Sequence, residues 1–201
     1  VQEYLDGHLG SHPGDVNAYA ASLFYAMDRY ASYKQDWGPF YEAGGLVIAD
    51  RYTTSNAVHQ ASKLLPGERK GFLEWLFDLE YGKLGLPEPP GRIEAYDISN
   101  TGASDIVAAM TVFADGKPKK SAYRYFLLRD LDGPDDYASM DQVISRRFKR
   151  EIDGDERFAR HPDLLLIDGG QTHAAVARRA MEQYGLDIPT FGMVKDDRHR
   201  T

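Results

Sequence analysis

The sequence predicts an α/β chain in which a mainly helical first half precedes a mixed five-stranded sheet with helices. Three observations carry this expectation. Before Leu84 the apolar residues recur at helical spacing over two long stretches; after it they fall into short runs bounded by Gly, Pro, Asn and Asp. Near the end, "PDLLLIDGG", "QTHAAVARRAMEQYG" and "PTFGMVK" read as strand, helix and strand, a unit that requires a parallel crossover. The 201 residues, 42% of them hydrophobic, suffice to bury a core of ordinary size.

In chain order, "DVNAYAASLFYAMDRYASYK" carries Val16, Tyr19, Ala20, Leu23, Tyr25, Met27 and Tyr30 as the apolar side of a helix. "GGLVIAD" follows as a strand buried on both faces, because Leu46 to Ala49 form an unbroken apolar run. "GERKGFLEWLFDLEYGKL" is a second helix with Phe72, Leu73, Leu76, Leu79 and Leu84 as its apolar side. The Pro- and Gly-rich "LGLPEPPGR" interrupts both patterns, so a boundary is placed there, giving domains 1–90 and 91–201. Beyond it "RIEAYDIS", "IVAAMTVFADG" and "SAYRYFLLRD" form an antiparallel meander, with turns at "SNTGASD" and "ADGKPKK". A helix starts near Asp135, since "PDDYASMDQVISRRFKR" opens on proline and acids and closes on bases, as the helix dipole favours. The final strand, helix and strand complete the second half, with Gly185 closing the helix.

Composition excludes several classes of function. With no cysteine there is no disulfide framework, thiolate nucleophile or Cys-ligated zinc, which leaves Asp, Glu and His as metal ligands. A net charge of -7 argues against binding polyanions by overall charge, so a nucleic-acid site must be local. The longest apolar runs are far short of a membrane span and the acidic start is no signal peptide, so a soluble, cytoplasmic protein with no membrane partner is expected.

Asp97 and Asp168 occupy equivalent places, each at the carboxyl end of a short strand and each followed by turn-forming residues. If the two strands are neighbours the carboxylates meet, and two acids brought close repel unless a proton or a cation lies between them. Mg²⁺ or Mn²⁺ is the simplest such cation, holding a phosphate oxygen and acidifying a water. The plain alternative is that Asp97 caps a turn and Asp168 neighbours a helix N-cap. Of the 24 Lys and Arg, 17 lie from Arg92 onward. Lys119, Lys120 and Arg124 around the hairpin, with Arg146 and Arg147 on the helix, are the candidate contacts to a DNA backbone. A solvated charged face is the alternative.

These residues carry a resemblance. "RIEAYDISNTGASDIVAAMTVF", "DDYASM", "RRF", "PDLLLIDGG" and "FGMVKDDRHRT" resemble the RNase H-like endonuclease domain of the UvrC family. That resemblance implies an RNase H-like fold, metal-dependent 5′ incision of damaged DNA in nucleotide excision repair, and UvrB as partner. The family's strand-borne catalytic aspartates match Asp97 and Asp168. Its catalytic histidine, in a segment resembling "DEVHRF", has no counterpart in this sequence, and neither do its GIY-YIG-like module, UvrB-binding motif and helix-hairpin-helix tandem. His199 belongs to a different family segment and is not taken as a substitute, and His173 is expected to be a surface or packing residue.

Residues 1–89 resemble a different family, thymidylate kinase, through "VNAYAASLFYAMDRYASYK", "GGLVIADRYTTSNAVHQASKL" and "FLEWLFDLEYGKLGLPEP". The resemblance implies a fragment of a P-loop kinase fold. In it Arg29 and Arg51 would hold the dTMP phosphate, Asp50 would lie near phosphate or metal, and Gln60 near thymine. No G-x-x-x-x-G-K-[ST] occurs, so phosphoryl transfer from ATP is not expected. The two resemblances meet at "LGLPEPP", as in a chimera joined through a short shared string. The alternatives to nuclease function are therefore a thymidylate kinase and an inactive DNA- or protein-binding fragment.

Overall fold

In the computed structural model, residues 1–10, 12, 14–100, 106–128 and 135–194 are described. The chain divides into two compact units, Val1–Glu88 and Pro89–Thr201.

The first unit is helical: α1 (Gln2–Leu5), α2 (Ala18–Ser32), α3 (Gly38–Glu42), α4 (Thr53–Ala61) and α5 (Arg69–Phe77). The Asn17 side chain starts α2 by accepting from the Ala20 amide at 2.8 Å, an N-cap that satisfies one orphan donor. Past their ends α2 and α5 widen into π turns, Tyr33–Trp37 and Asp78–Lys83. The face of α2 that is buried is not the one its large apolar residues suggest. Ala18, Ala21, Ser22 and Ala26 point inward, whereas Tyr19, Leu23 and Met27 are exposed. The small side chains let α2 come close to α4, and Ala18 joins Ala57, Ala61, Phe72 and Leu76 in one cluster. Gly44–Asp50, expected as a buried strand, is not one: it makes no ladder, and Ile48 is 90% exposed. Among the described residues of this unit there is no strand for it to pair with, and an unpaired strand leaves its backbone groups to water.

The second unit is a mixed sheet with two helices on one face. Its elements are β1 (Arg92–Asn100), β2 (Ile106–Ala114), β3 (Lys117–Pro118), β4 (Arg124–Leu128), α6 (Asp136–Ile152), β5 (Leu164–Asp168), α7 (Gln171–Glu182) and β6 (Thr190–Met193). β2 pairs antiparallel with both β1 and β4, the expected meander. On the other side β5 runs parallel to β1, and β6 parallel to β5. The sheet has six strands rather than five, because Lys117–Pro118 folds back on Phe113 and Ala114. Asp115 and Gly116, at φ 51° and 74°, make that two-residue turn, the left-handed pair a type I′ hairpin requires.

Alternation decides which side of the sheet is core. Tyr96, Ala108, Met110, Val112, Phe126, Leu128, Leu165 and Ile167 face Met140, Val143, Ile144 and Phe148 of α6 and Val176, Ala177, Ala180 and Met181 of α7. The spacing of those four α6 residues, which return to one side of the helix every turn, explains why this highly charged segment is a helix that packs. The Asp135 carboxylate caps it, accepting from the amides of Tyr137 and Ala138 at 2.9 and 3.0 Å. No helix among the described residues is long and apolar enough to cross a membrane.

Candidate active site

Register brings the two predicted aspartates together. β1 and β5 pair as far as Tyr96 with Ile167, and the next residues along are Asp97 and Asp168. Parallel neighbours lie about 4.8 Å apart and successive side chains alternate in face. Both aspartates therefore project from the face opposite the helices, side by side, at the carboxyl ends of adjacent strands. With Ala95, Ala109, Thr111 and Met193 they line a depression of about 330 Å³. The alanines matter because they leave the space over the strands unfilled.

Local geometry holds each acid. Ser99 Oγ donates to Asp97 Oδ2 at 3.2 Å, and the Asp97 side chain is exposed. Asp168 is half-buried and precedes Gly169, whose φ of 140° turns the chain from β5 into α7. That loop lies against β6: a Cβ on Gly192 would stand 2.4 Å from the Gly169 carbonyl oxygen and 2.7 Å from that of Gly170. The α7 N-cap is Gly170, two residues beyond Asp168. Among the described residues no third His, Asp or Glu joins the pair to complete a metal-binding group. Two oxygen ligands with open positions suit Mg²⁺ or Mn²⁺, which keep several waters. His173 packs against Tyr137, ring centroids 4.7 Å apart, as expected of a packing residue. His199 lies outside the described residues.

Among the described residues the bases expected to contact DNA do not gather around the carboxylates. Lys119 and Lys120 are exposed, but the Lys119 amide bonds Val112, three residues along β2 from Ala109, the partner of Asp97. This puts them toward the opposite end of the strands, on the order of 10 Å away. Arg124 is half-buried and gives Nη1 to the carbonyls of Ser121 and Tyr123, at 2.9 and 2.7 Å. Arg146 gives Nη1 to the Leu127 carbonyl at 2.7 Å. Arg147 corrects the expectation of a DNA contact: it is 0% exposed, and its guanidinium is bonded to Glu94 and Glu151. It sits on the inward stripe of α6, and its charge is answered inside the protein.

Glu94 is a charged residue that the sequence reasoning misses. It is wholly buried on the helix face of β1, between Arg92 and Tyr96. Burial alone would raise its pKa, but hydrogen bonds and charge from Arg147, with Tyr96 and Arg92, outweigh that and hold it below the usual glutamate range. The same burial, reinforced by the Glu94 charge, pushes the Tyr96 phenol well up, so it stays a donor. The signal that could have found it is the strand's own alternation, Arg92, Glu94, Tyr96, which puts opposite charges on one face.

In the first unit a cavity of about 470 Å³ is lined by Arg29, Arg51 and Gln60, together with Tyr25, Trp37 and Asn56. Asp50 is not part of its lining. The Arg29 fork is taken up by buried Glu80, at 2.7 and 2.9 Å, and Thr53 Oγ1 also donates to Glu80 at 2.7 Å. Arg29 is thus not poised to fork onto a phosphate as expected. Arg51 holds a left-handed φ of 66°, uncommon for a residue with a side chain. Gln60 Oε1 and both polar atoms of Asn56 are buried and find no protein partner among the described residues.

Residues 82–201 match the UvrC RNAse H endonuclease domain family. The UvrABC system protein C of Ruminiclostridium cellulolyticum is 47% identical over 124 residues, covering 59% of this chain and 20% of the relative. That of Moorella thermoacetica is 48% identical over 132 residues, covering 65% and 21%. The chain therefore spans about a fifth of the length of the curated relatives it matches. Among solved structures, endonuclease V of Ciona intestinalis in complex with an inosine-containing DNA is 12% identical with a TM-score of 0.39, covering 63% of this chain and 58% of that one.

Proposed function

The chain belongs to the UvrC RNase H endonuclease domain family, and from that premise we propose that it is the metal-dependent, DNA-cutting part of an excinuclease, making the 5′ incision of nucleotide excision repair. The observation that carries this is the β1–β5 register, which sets Asp97 beside Asp168 over a depression walled by alanines. Asp97 and Asp168 would hold Mg²⁺ or Mn²⁺, each giving carboxylate oxygens. Bound there, the cation would acidify a water and offset charge developing on the phosphorus. Ser99 keeps Asp97 turned over the depression, and the Gly169 turn fixes Asp168 at its edge. Lys119 and Lys120, exposed at the far end of the strands, would contact the DNA backbone away from the scissile bond. UvrB is the partner this reading implies.

The test is nicking of supercoiled plasmid by the purified chain in Mn²⁺, beside Asp97→Asn and Asp168→Asn. Nicking abolished in both variants is the expected outcome. Nicking that survives both would refute the assignment, and salt-dependent DNA binding with no nicking by the wild type would make the chain a binding fragment.

One observation favours a second ligand. The buried Asn56 and Gln60 polar groups lie in the lining of the first unit's cavity, where a nucleobase edge would satisfy them. This supports dTMP binding in the first unit. Saturating dTMP should then raise the melting temperature, by about 2.7 kcal/mol of stabilisation at a hundredfold excess over Kd, and Gln60→Leu should abolish the shift. No shift in the wild type would remove this reading.

A further inference from the structure

β1 buries charge where a sheet ordinarily buries hydrocarbon. Its first three inward residues, Arg92, Glu94 and Tyr96, are all enclosed. The Glu94 carboxylate accepts from Arg92 Nε and Nη2 at 2.9 and 2.6 Å, from Tyr96 Oη at 2.7 Å, and from Arg147 Nε and Nη2 at 3.0 Å each. Such a cluster adds little net stability over apolar residues of the same volume. Directional, charge-assisted bonds favour the alignment of the elements they join that lets every partner meet.

Here they join β1 to α6 and, through Arg147, to the segment that leads into β5. Arg147 Nη2 also donates to the Arg160 carbonyl at 3.1 Å. Three residues on, Asp163 is bound to Arg92 twice: Arg92 N donates to Asp163 Oδ2 at 2.8 Å, and Asp163 N donates to the Arg92 carbonyl at 2.9 Å. Asp97 lies five residues beyond Arg92, and Asp168 five beyond Asp163. The two strands thus run equal lengths from the clamp to the carboxylates. A slip of one residue would turn Asp168 onto the helix face and separate the pair.

We infer that Arg147, anchored on Glu94, is a positioning residue: it locks β5 in register with β1 and so sets Asp168 beside Asp97. Glu151 and His161 complete its surroundings. Glu151 Oε2 accepts from Arg147 Nη1 at 2.7 Å, and Glu151 Oε1 meets His161 Nδ1 at 2.8 Å, which ties the segment leading into β5 to α6. The inference rests on the reading of Asp97 and Asp168 as the working pair, but its test needs no metal.

The absence of cysteine gives a clean background for paired cysteines. Asp97→Cys with Asp168→Cys reports β1–β5 alignment by its rate of disulfide formation, since adjacent strands put the Cα atoms within bonding range. Ala95→Cys with Thr111→Cys, partners across the β1–β2 ladder on the same face, reports general loosening. Adding Arg147→Met to each should slow the first pair about tenfold, which corresponds to about 1.4 kcal/mol lost from the aligned state, and leave the second unchanged. Equal slowing of both pairs, or of neither, would overturn the inference. If Arg147→Met does not fold, Glu94→Gln takes its place in the same comparison, with the same two outcomes. Mn²⁺ binding by the wild-type chain tests the metal reading separately: its absence would remove that reading, while the cross-linking rates still decide on the lock.

Discussion

Replacing Glu94 by leucine withdraws the acceptor of five hydrogen bonds from three enclosed donors. Arg147 keeps Glu151 and the Arg160 carbonyl, but among the described residues the Arg92 guanidinium hydrogen-bonds no side chain other than Glu94. A buried cation left without its partner costs about 3–5 kcal/mol. The whole stability of a domain this size is about 5–15 kcal/mol, so Glu94→Leu should remove about a fifth of it or more. Both tryptophans, Trp37 and Trp75, lie in the first unit and report only on their own surroundings. The assay is therefore amide hydrogen exchange at β1 and β5 under native conditions. The sign of the pH dependence follows from the lowered pKa of Glu94. The stabilisation is fully present above the unfolded glutamate value of about 4.3, and is lost as pH falls through the lower folded value. The difference between wild type and Glu94→Leu should accordingly be full at neutral pH and shrink in acid. A destabilisation below about 1 kcal/mol at pH 7, or one that grows as pH falls, would refute the reasoning.

Three further outcomes test other parts of the molecule. Asp97→Asn should abolish Mn²⁺ binding seen by paramagnetic resonance while leaving unfolding by denaturant within about 0.5 kcal/mol of wild type, because the side chain is exposed. Lys119→Ala with Lys120→Ala should lower the slope of log affinity for DNA against log salt by about 0.9 for each phosphate no longer neutralised, whereas Arg147→Met should leave that slope unchanged. Gly192→Ala would press a methyl group on the Gly169 and Gly170 carbonyls and cost about 1–3 kcal/mol by thermal unfolding, with weaker Mn²⁺ binding because the turn after Asp168 must shift.

What can be read from the sequence, and what cannot, divides along physical lines. The meander, the capped helix at Asp135 and the terminal strand, helix and strand are legible because each is fixed by local signals: alternation, a capping acid, glycine at a turn. The equivalence of Asp97 and Asp168 is legible because each ends a short strand, but that the two strands are neighbours is learned only from the fold. Gly44–Asp50 misleads because an apolar run states only that a segment could be buried, and a strand needs a neighbour that no local pattern supplies. The inward face of α2 misleads for a related reason. Close approach of two helices selects alanine over leucine, and which helix approaches is not written in the helix itself.

Arg147 shows the limit most directly. In sequence it is one of four bases near the end of a helix, and although its spacing from Met140, Val143 and Ile144 puts it on the apolar side, a base there reads as a charge to be solvated until a counter-charge is found. In the fold one step of about 100° around the helix axis sends it inward to Glu94, 53 residues earlier on β1, while Arg146 reaches the Leu127 carbonyl instead. A cation reads as a surface or ligand-binding group until its counter-charge is known, and here the counter-charge lies on a distant strand. The same alternation that turns Asp97 outward turns Glu94 inward, because the two are an odd number of residues apart. The exposed acid and the buried one are therefore set by one register, and a change that frees the buried one should be felt at the other.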